Sequence, residues 1–170
     1  MAEAEAGLRP PAAIWVPGCG RGHEARFLAG RGFRVLGEDL VPSAIVEAKK
    51  LPSHGELTFS VGDVLERPKE QEGSFDAVFD RAMLCALHEK YRSLYKESCF
   101  YRLKPGGFFM GILFKKVADE VKGPPFAVAF SELLSLWQEG FSLVALSERA
   151  APYKEGVILE EYLVILRRHL

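Results

Sequence analysis

Three glycines at alternate positions, Gly18, Gly20 and Gly22, follow directly on the apolar run Ile14-Trp15-Val16 and Pro17. A helix-compatible segment, Glu24 to Leu28, comes next, and Gly30 closes it. Strand, tight glycine turn and helix is the opening of an α/β nucleotide-type site. The backbone must turn sharply there, and a Cβ would collide with a ligand lying on the chain. The spacing restricts the ligand. A dinucleotide fingerprint reads G-x-G-x-x-G and turns a helix N-terminus toward a pyrophosphate. Here the third glycine arrives one residue early, and no basic group is placed to meet a pyrophosphate. The second chemical signal is an acid. Phe33 to Leu40 is apolar and ends in Glu38-Asp39. An acid at the tip of the second strand, about twenty residues past the glycines, accepts the two ribose hydroxyls. Side chains alternate along a strand, so only one of Glu38 and Asp39 points at the site. Asp39 is the candidate, and Leu40 just beyond it would cover one face of a base.

These groups need a scaffold, and the pattern supplies one. Strands are expected at 13–16, 33–39, 57–61, 75–80 and 108–114, with two more at 141–146 and 161–168. Pro42 to Lys50 reads as a helix, with proline in the first turn and lysines in the last. Glu89 to Leu103 carries Tyr91, Leu94, Tyr95 and Ser98/Cys99 at helical spacing, and Lys104-Pro105-Gly106-Gly107 stops it. Ala127 to Gln138 is a third such segment, with Phe130, Leu133, Leu134 and Trp137 on one face. Glu66 to Ser74 is a charged surface loop, Gly123-Pro124-Pro125 a rigid one, and a loop containing Pro152 and Gly156 joins the last two strands. Alternating strands and helices with two successive strands at the end predict an α/β, doubly wound, mostly parallel sheet with an antiparallel hairpin at one edge. Ligands in such sheets sit outside the carboxyl ends of the strands. Those ends are Pro17 to Gly22, Asp39, Asp63-Val64 and Asp80-Arg81.

The bulk numbers exclude other classes. A chain of 170 residues suits one domain, expected over 12–170, with 1–11 as a disordered or frayed lead. Twenty-two Lys and Arg balance 23 Asp and Glu without a long basic run, which argues against a nucleic-acid or membrane surface. Cys19, Cys85 and Cys99 are an odd number without paired metal spacing, so neither a disulfide scaffold nor a metal site is expected. The start lacks a basic-then-apolar signal, and no run is long enough to span a bilayer. A cytoplasmic monomer is expected.

In order along the chain, several stretches resemble a class I S-adenosylmethionine (SAM) methyltransferase, and more narrowly the thiopurine methyltransferase superfamily with its halide/thiol members. They are Val16-Pro17-Gly18-Cys19-Gly20-Arg21-Gly22-His23-Glu24, Val35 to Leu40 with Ser43-Ala44-Ile45, Phe75 to Arg81, Leu103-Lys104-Pro105-Gly106-Gly107 and Gly123-Pro124-Pro125-Phe126. The resemblance implies a seven-stranded sheet of order 3-2-1-4-5-7-6 and SAM as cofactor, with S-adenosylhomocysteine (SAH) as its product. By position it implies that Pro17, Gly18, Gly20 and Gly22 hold the amino-acid part of SAM and that Asp39 and Leu40 meet the ribose and adenine. Asp63 and the Val64 backbone would take the adenine edge, and Asp80 would sit by the methionine amine or the loop holding it. Arg81 resembles an arginine that faces the acceptor in thiopurine-type members, and Phe126 an aromatic lining the acceptor pocket. The family also carries some tens of residues before the first strand, including a tryptophan, that fold over cofactor and acceptor. Here the first strand stands almost at the start, which implies that a preceding segment has been removed, that the site is open, or that its cover is supplied otherwise.

Methyl transfer from a sulfonium is an in-line displacement with a neutral leaving group, so alignment and desolvation are the main work. A thiolate or halide needs no strong base, and no catalytic dyad is identified. The expected function is methyl transfer to a small soft nucleophile, foremost a thiol. Other readings are a different small-molecule acceptor, a SAM-binding protein without turnover because its lid is missing, and a dinucleotide-binding domain, which the glycine spacing disfavours. The bland alternatives are a surface ion pair for Arg81, core packing for Phe126, a helix-start histidine for His88, a loop histidine for His23, and space-filling for Cys19 and Cys85.

Overall fold

The computed structural model describes residues 7–116, 123–152 and 158–170. Its elements are β1 (Ala13–Pro17), α1 (His23–Ala29), β2 (Arg34–Asp39), α2 (Pro42–Lys50) and β3 (Leu57–Val61), then β4 (Phe75–Arg81), α3 (Met83–Ala86) and α4 (Glu89–Arg102). β5 (Leu103–Lys116), α5 (Phe130–Trp137), β6 (Phe141–Pro152) and β7 (Ile158–Arg168) complete it. The seven strands lie in the order β3-β2-β1-β4-β5-β7-β6, as the resemblance implied. Five of them are joined by parallel pairing, and β7 runs antiparallel to both β5 and β6. Among the described residues no helix is long and apolar enough to cross a membrane.

Period-two alternation builds two cores from one sheet. Ile14 and Val16 face the layer of α1 and α2, where Ala25, Leu28, Ile45 and Ala48 are buried. Trp15, between them, faces the layer of α4 and α5, with Tyr95, Cys99, Leu133 and Trp137. Both faces of a parallel sheet must be covered, which explains why its inner strands are apolar throughout.

Two expectations are corrected. The buried face of α4 is Arg92, Tyr95, Ser98, Cys99 and Arg102, whereas Tyr91 and Leu94 are exposed. Both arginines are paired, Arg92 with Glu132 and Arg102 with Glu38, and pairing is what allows a guanidinium inside. On α5, Leu133 and Trp137 are buried, but Phe130 and Leu134 lie toward solvent. Within the expected lead, residues 8–11 make contacts with the domain. Leu8 packs against the α1 layer, the Ala12 N–H donates to Arg9 O, and Arg34 Nε donates to Pro11 O. Residues 1–6, and the part of the last loop containing Gly156, lie outside the described residues.

Between β4 and α3, Ala82 has φ +63°, the left-handed region that costs a residue with a Cβ about 1–2 kcal/mol. Ala82→Gly is therefore expected to stabilise the protein by about 1 kcal/mol, raising Tm by roughly 2–4 °C in a thermal melt.

Candidate active site

Pro17 brings the chain out of β1 level with Glu38 on β2. Gly18, Gly20 and Gly22 then take φ values of +60°, +52° and +74°. A Cβ on Gly18 would run into Met83 Sδ, and one on Gly22 into the Phe59 ring, so these two are packed from behind. A Cβ on Gly20 would meet nothing within 4 Å. The loop is thus supported on one side and open on the other, the condition for a ligand lying against backbone. The Cys19 N–H donates to Glu38 O at 3.0 Å, and Arg26 on α1 donates to Arg21 O at 2.6 Å and to Ala48 O on α2.

Asp39 faces this loop. Its Oδ2 accepts the Gly20 N–H at 2.8 Å and its Oδ1 accepts the Val41 N–H at 2.9 Å. An ionised carboxylate offers about four acceptor positions, so capacity remains for two hydroxyls. Glu38, the alternative, is turned inward and is 3 % exposed. Leu40 is 64 % exposed, and Val61, the register partner of Asp39 on β3, is 53 % exposed. Two apolar side chains therefore stand in solvent beside a carboxylate, a surface suited to one face of a base. Val61 lacked any signal in the sequence, because only the β2–β3 register places it there.

The turn after β3 lies next to Asp39, with the Gly62 N–H on Asp39 O at 3.1 Å. Asp63 is half-buried, and its Oδ1 accepts the Leu65 N–H at 2.9 Å, fixing the turn. The Val64 side chain is buried in the core, so only its backbone is available to a ligand.

Asp80 lies behind the glycine loop. It is fully buried, and its carboxylate accepts from the Met83 N–H at 2.7 Å, the Leu84 N–H at 3.0 Å and the Tyr95 hydroxyl at 2.8 Å. Burial pushes its carboxyl up to about 6 despite these three donors. Its oxygens face α3 and α4, a geometry that suits the second place the resemblance offered, by the loop, and not the first. Asp80 instead caps α3 and so places Met83 against Gly18. The thiols are inert as nucleophiles: burial, aided by the Asp39 charge, pushes Cys19 up to about 12, and burial does the same for Cys85.

On the α1 side of the sheet a cavity of about 540 Å³ is lined by Phe27, Phe79, Met110, Ile112, Leu163 and Ile165. Arg81 and Arg149 stand at it, as do His23 and Glu24 of the first turn of α1. Arg81 Nη1 is 3.0 Å from Glu161 Oε1, and Arg149 Nη2 is 2.9 Å from Glu161 Oε2. Glu161 is 2 % exposed and Arg81 38 %, so a buried carboxylate is shared by two guanidiniums that reach outward, and the cluster keeps a positive charge. Arg149 and Glu161 were missed, since they meet only through the β6–β7 register. Phe126 does not line this cavity. Its ring lies edge-on to His88 at 5.8 Å, over Gly123, and its N–H donates to Cys85 O at 2.7 Å.

The thiopurine S-methyltransferase (TPMT) family pattern matches residues 3–157. The chain belongs to this family. It is 32 % identical over 151 residues to a thiocyanate methyltransferase of Arabidopsis thaliana, covering 83 % of this chain and 64 % of that protein. It is 30 % identical over 142 residues to a thiopurine S-methyltransferase of Legionella pneumophila, covering 74 % and 64 %. The chain thus spans under two thirds of the length of these curated relatives. Among solved structures, a SAM-dependent methyltransferase of Methanosarcina mazei superposes with a TM-score of 0.85 at 21 % identity, covering 96 % of this chain and 95 % of the other. An N1-methyltransferase of Burkholderia thailandensis, crystallised with SAH, gives 0.75 at 22 % identity, covering 99 % and 75 %. These two likenesses establish the fold.

Proposed function

We propose that this protein is a SAM-dependent methyltransferase that transfers a methyl group to a small thiol. The observation that carries the reading is the Asp39 carboxylate bonded to the Gly20 N–H at 2.8 Å, which joins the open glycine loop and the acid at the β2 tip in one ligand-facing surface. Family membership and the names of the relatives, thiocyanate and thiopurine methyltransferases, supply the acceptor class.

The residues present fit the donor. Gly20 leaves room against the backbone, Asp39 has spare acceptor capacity for ribose hydroxyls, and Leu40 and Val61 offer apolar cover to adenine. Asp63 and the Val64 backbone stand where the base edge would end. When bound, SAM supplies a methyl group on a sulfonium whose departure leaves a neutral thioether. The chain's own part is orientation and charge. The glycine loop and Asp39 fix the donor, while Arg81 and Arg149 hold an anionic acceptor and favour its thiolate over its thiol. A strong general base is not required, because a thiol is already partly ionised near neutral pH.

Incubation with methyl-labelled SAM and a panel of thiols, thiopurines and iodide tests the reading. Transfer to at least one thiol is expected, whereas SAM binding without transfer to any acceptor would contradict it. Arg81→Ala is expected to lower kcat/KM for anionic thiols about tenfold and to leave neutral thiols within about twofold. An unchanged kcat/KM for anionic thiols would reduce Arg81 to an ion-pair partner of Glu161.

A further inference from the structure

Behind the strand tips lies a cation that touches none of the groups assigned to the donor. Arg102, the last residue of α4, is fully buried. Its Nη1 donates to Glu38 Oε2 at 2.8 Å and to Gln71 Oε1, and its Nη2 donates to the Glu66 carbonyl at 3.0 Å. Its guanidinium carbon lies 4.0 Å from the centroid of the Trp15 ring on β1. Ser98, on the same helix face, donates to the same Glu66 carbonyl at 3.0 Å. Glu38 immediately precedes Asp39, and Glu66 closes the turn opened by Asp63 through its N–H on Asp63 O at 3.0 Å. A Cβ on Gly62 would run into the Glu38 carboxylate, so strand tip and turn are packed as close as glycine permits.

We propose that Arg102 is a positioning residue for the methyl donor. Its planar fork joins Glu38 to the Glu66 carbonyl and so sets the gap between Asp39 and the Asp63-Val64 turn across which the adenosine lies. The proposal rests on the donor reading above. A buried ion pair is a weak source of stability compared with well-packed apolar side chains. A guanidinium bonded to three segments at once instead fixes their relative places, which a lysine, a point charge on a flexible stem, does not reproduce. Small displacements of groups that align a ligand cost far more in binding than in folding.

Arg102→Lys keeps the charge and loses the fork. With wild type and variant side by side, the readouts are Kd for SAH by calorimetry, KM for SAM, KM for a thiol, kcat, and the unfolding midpoint. The expected result is a rise of about tenfold or more in Kd for SAH and KM for SAM, with kcat reduced by less than about threefold and thiol KM within about twofold. If Arg102→Lys fails to fold, Glu38→Gln, which keeps shape but not charge, is expected to show the same split at about threefold or more. A folded variant with Kd for SAH within about twofold of wild type overturns the positioning role, as does a uniform loss in all parameters. Wild-type protein that binds no SAH would instead overturn the donor reading, and this proposal with it.

Discussion

Replacing Asp39 by alanine is expected to weaken SAH binding about 100-fold. Two hydroxyls on one carboxylate are charge-assisted hydrogen bonds worth about 1.5 kcal/mol or more each, and about 3 kcal/mol corresponds to about 100-fold in Kd. Asp39→Asn keeps the shape and acceptor oxygen and is expected to lose about tenfold. Asp39 also accepts the Gly20 and Val41 N–H groups, so both variants should melt a few degrees lower, by about 2–4 °C per kcal/mol. Calorimetry with SAH alongside thermal unfolding separates the two effects. A variant that loses stability yet binds SAH as tightly as wild type would confine Asp39 to bracing the loop.

The second large effect concerns stability. Asp80→Ala removes an acceptor from two backbone N–H groups and the Tyr95 hydroxyl in a fully buried place. Each orphaned donor costs about 1–3 kcal/mol, and relief of the buried charge offsets only part of this, so a net loss of about 3 kcal/mol is expected. That loss corresponds to a Tm lowered by roughly 6–12 °C. The same group makes the stability of the wild-type protein depend on pH. Burial pushes the Asp80 carboxyl up to about 6 from its ordinary 3.8, so the folded state holds its proton more tightly than the unfolded chain does. The stability this proton confers is complete below pH 3.8 and is lost as pH rises to about 6. The difference of about two pH units corresponds to about 3 kcal/mol of stability lost from this group between acid pH and pH 7. Both carboxylate oxygens accept backbone N–H groups, Oδ1 from Met83 and Oδ2 from Leu84, and asparagine turns an NH2 toward one of them, so Asp80→Asn should melt lower than wild type at pH 7, though by less than Asp80→Ala. An Asp80→Asn melting point at or above that of wild type at pH 7 would mean that the fold does not need both carboxylate oxygens as acceptors.

The parts of the site carried by local chemistry were legible in the sequence. Three glycines after an apolar strand demand left-handed backbone, and alternation says that Glu38 and Asp39 face opposite ways, although it does not say which of them faces the loop. The sheet order came from the family resemblance, because periodicity does not state which strands are neighbours. What stayed hidden depends on distant pairing. Asp80 ends its strand as an active-site acid would, but its direction is decided by Tyr95 on α4 and by the short helix α3. Four residues are too few to show a period, so that helix had no signature. Arg149 and Glu161 are brought together by antiparallel register, and Arg102 reads as a helix-terminal cation on the surface until Glu38 is found across from it.

Backbone amide hydrogen exchange of the wild-type protein with and without SAH tests the central claim most directly. The account predicts that SAH slows exchange together in three separated segments, 18–22, 39–41 and 62–66, at the tips of β1, β2 and β3. Protection confined to the cavity lined by Phe27, Phe79 and Met110, or absent from all three segments at saturating SAH, would contradict it.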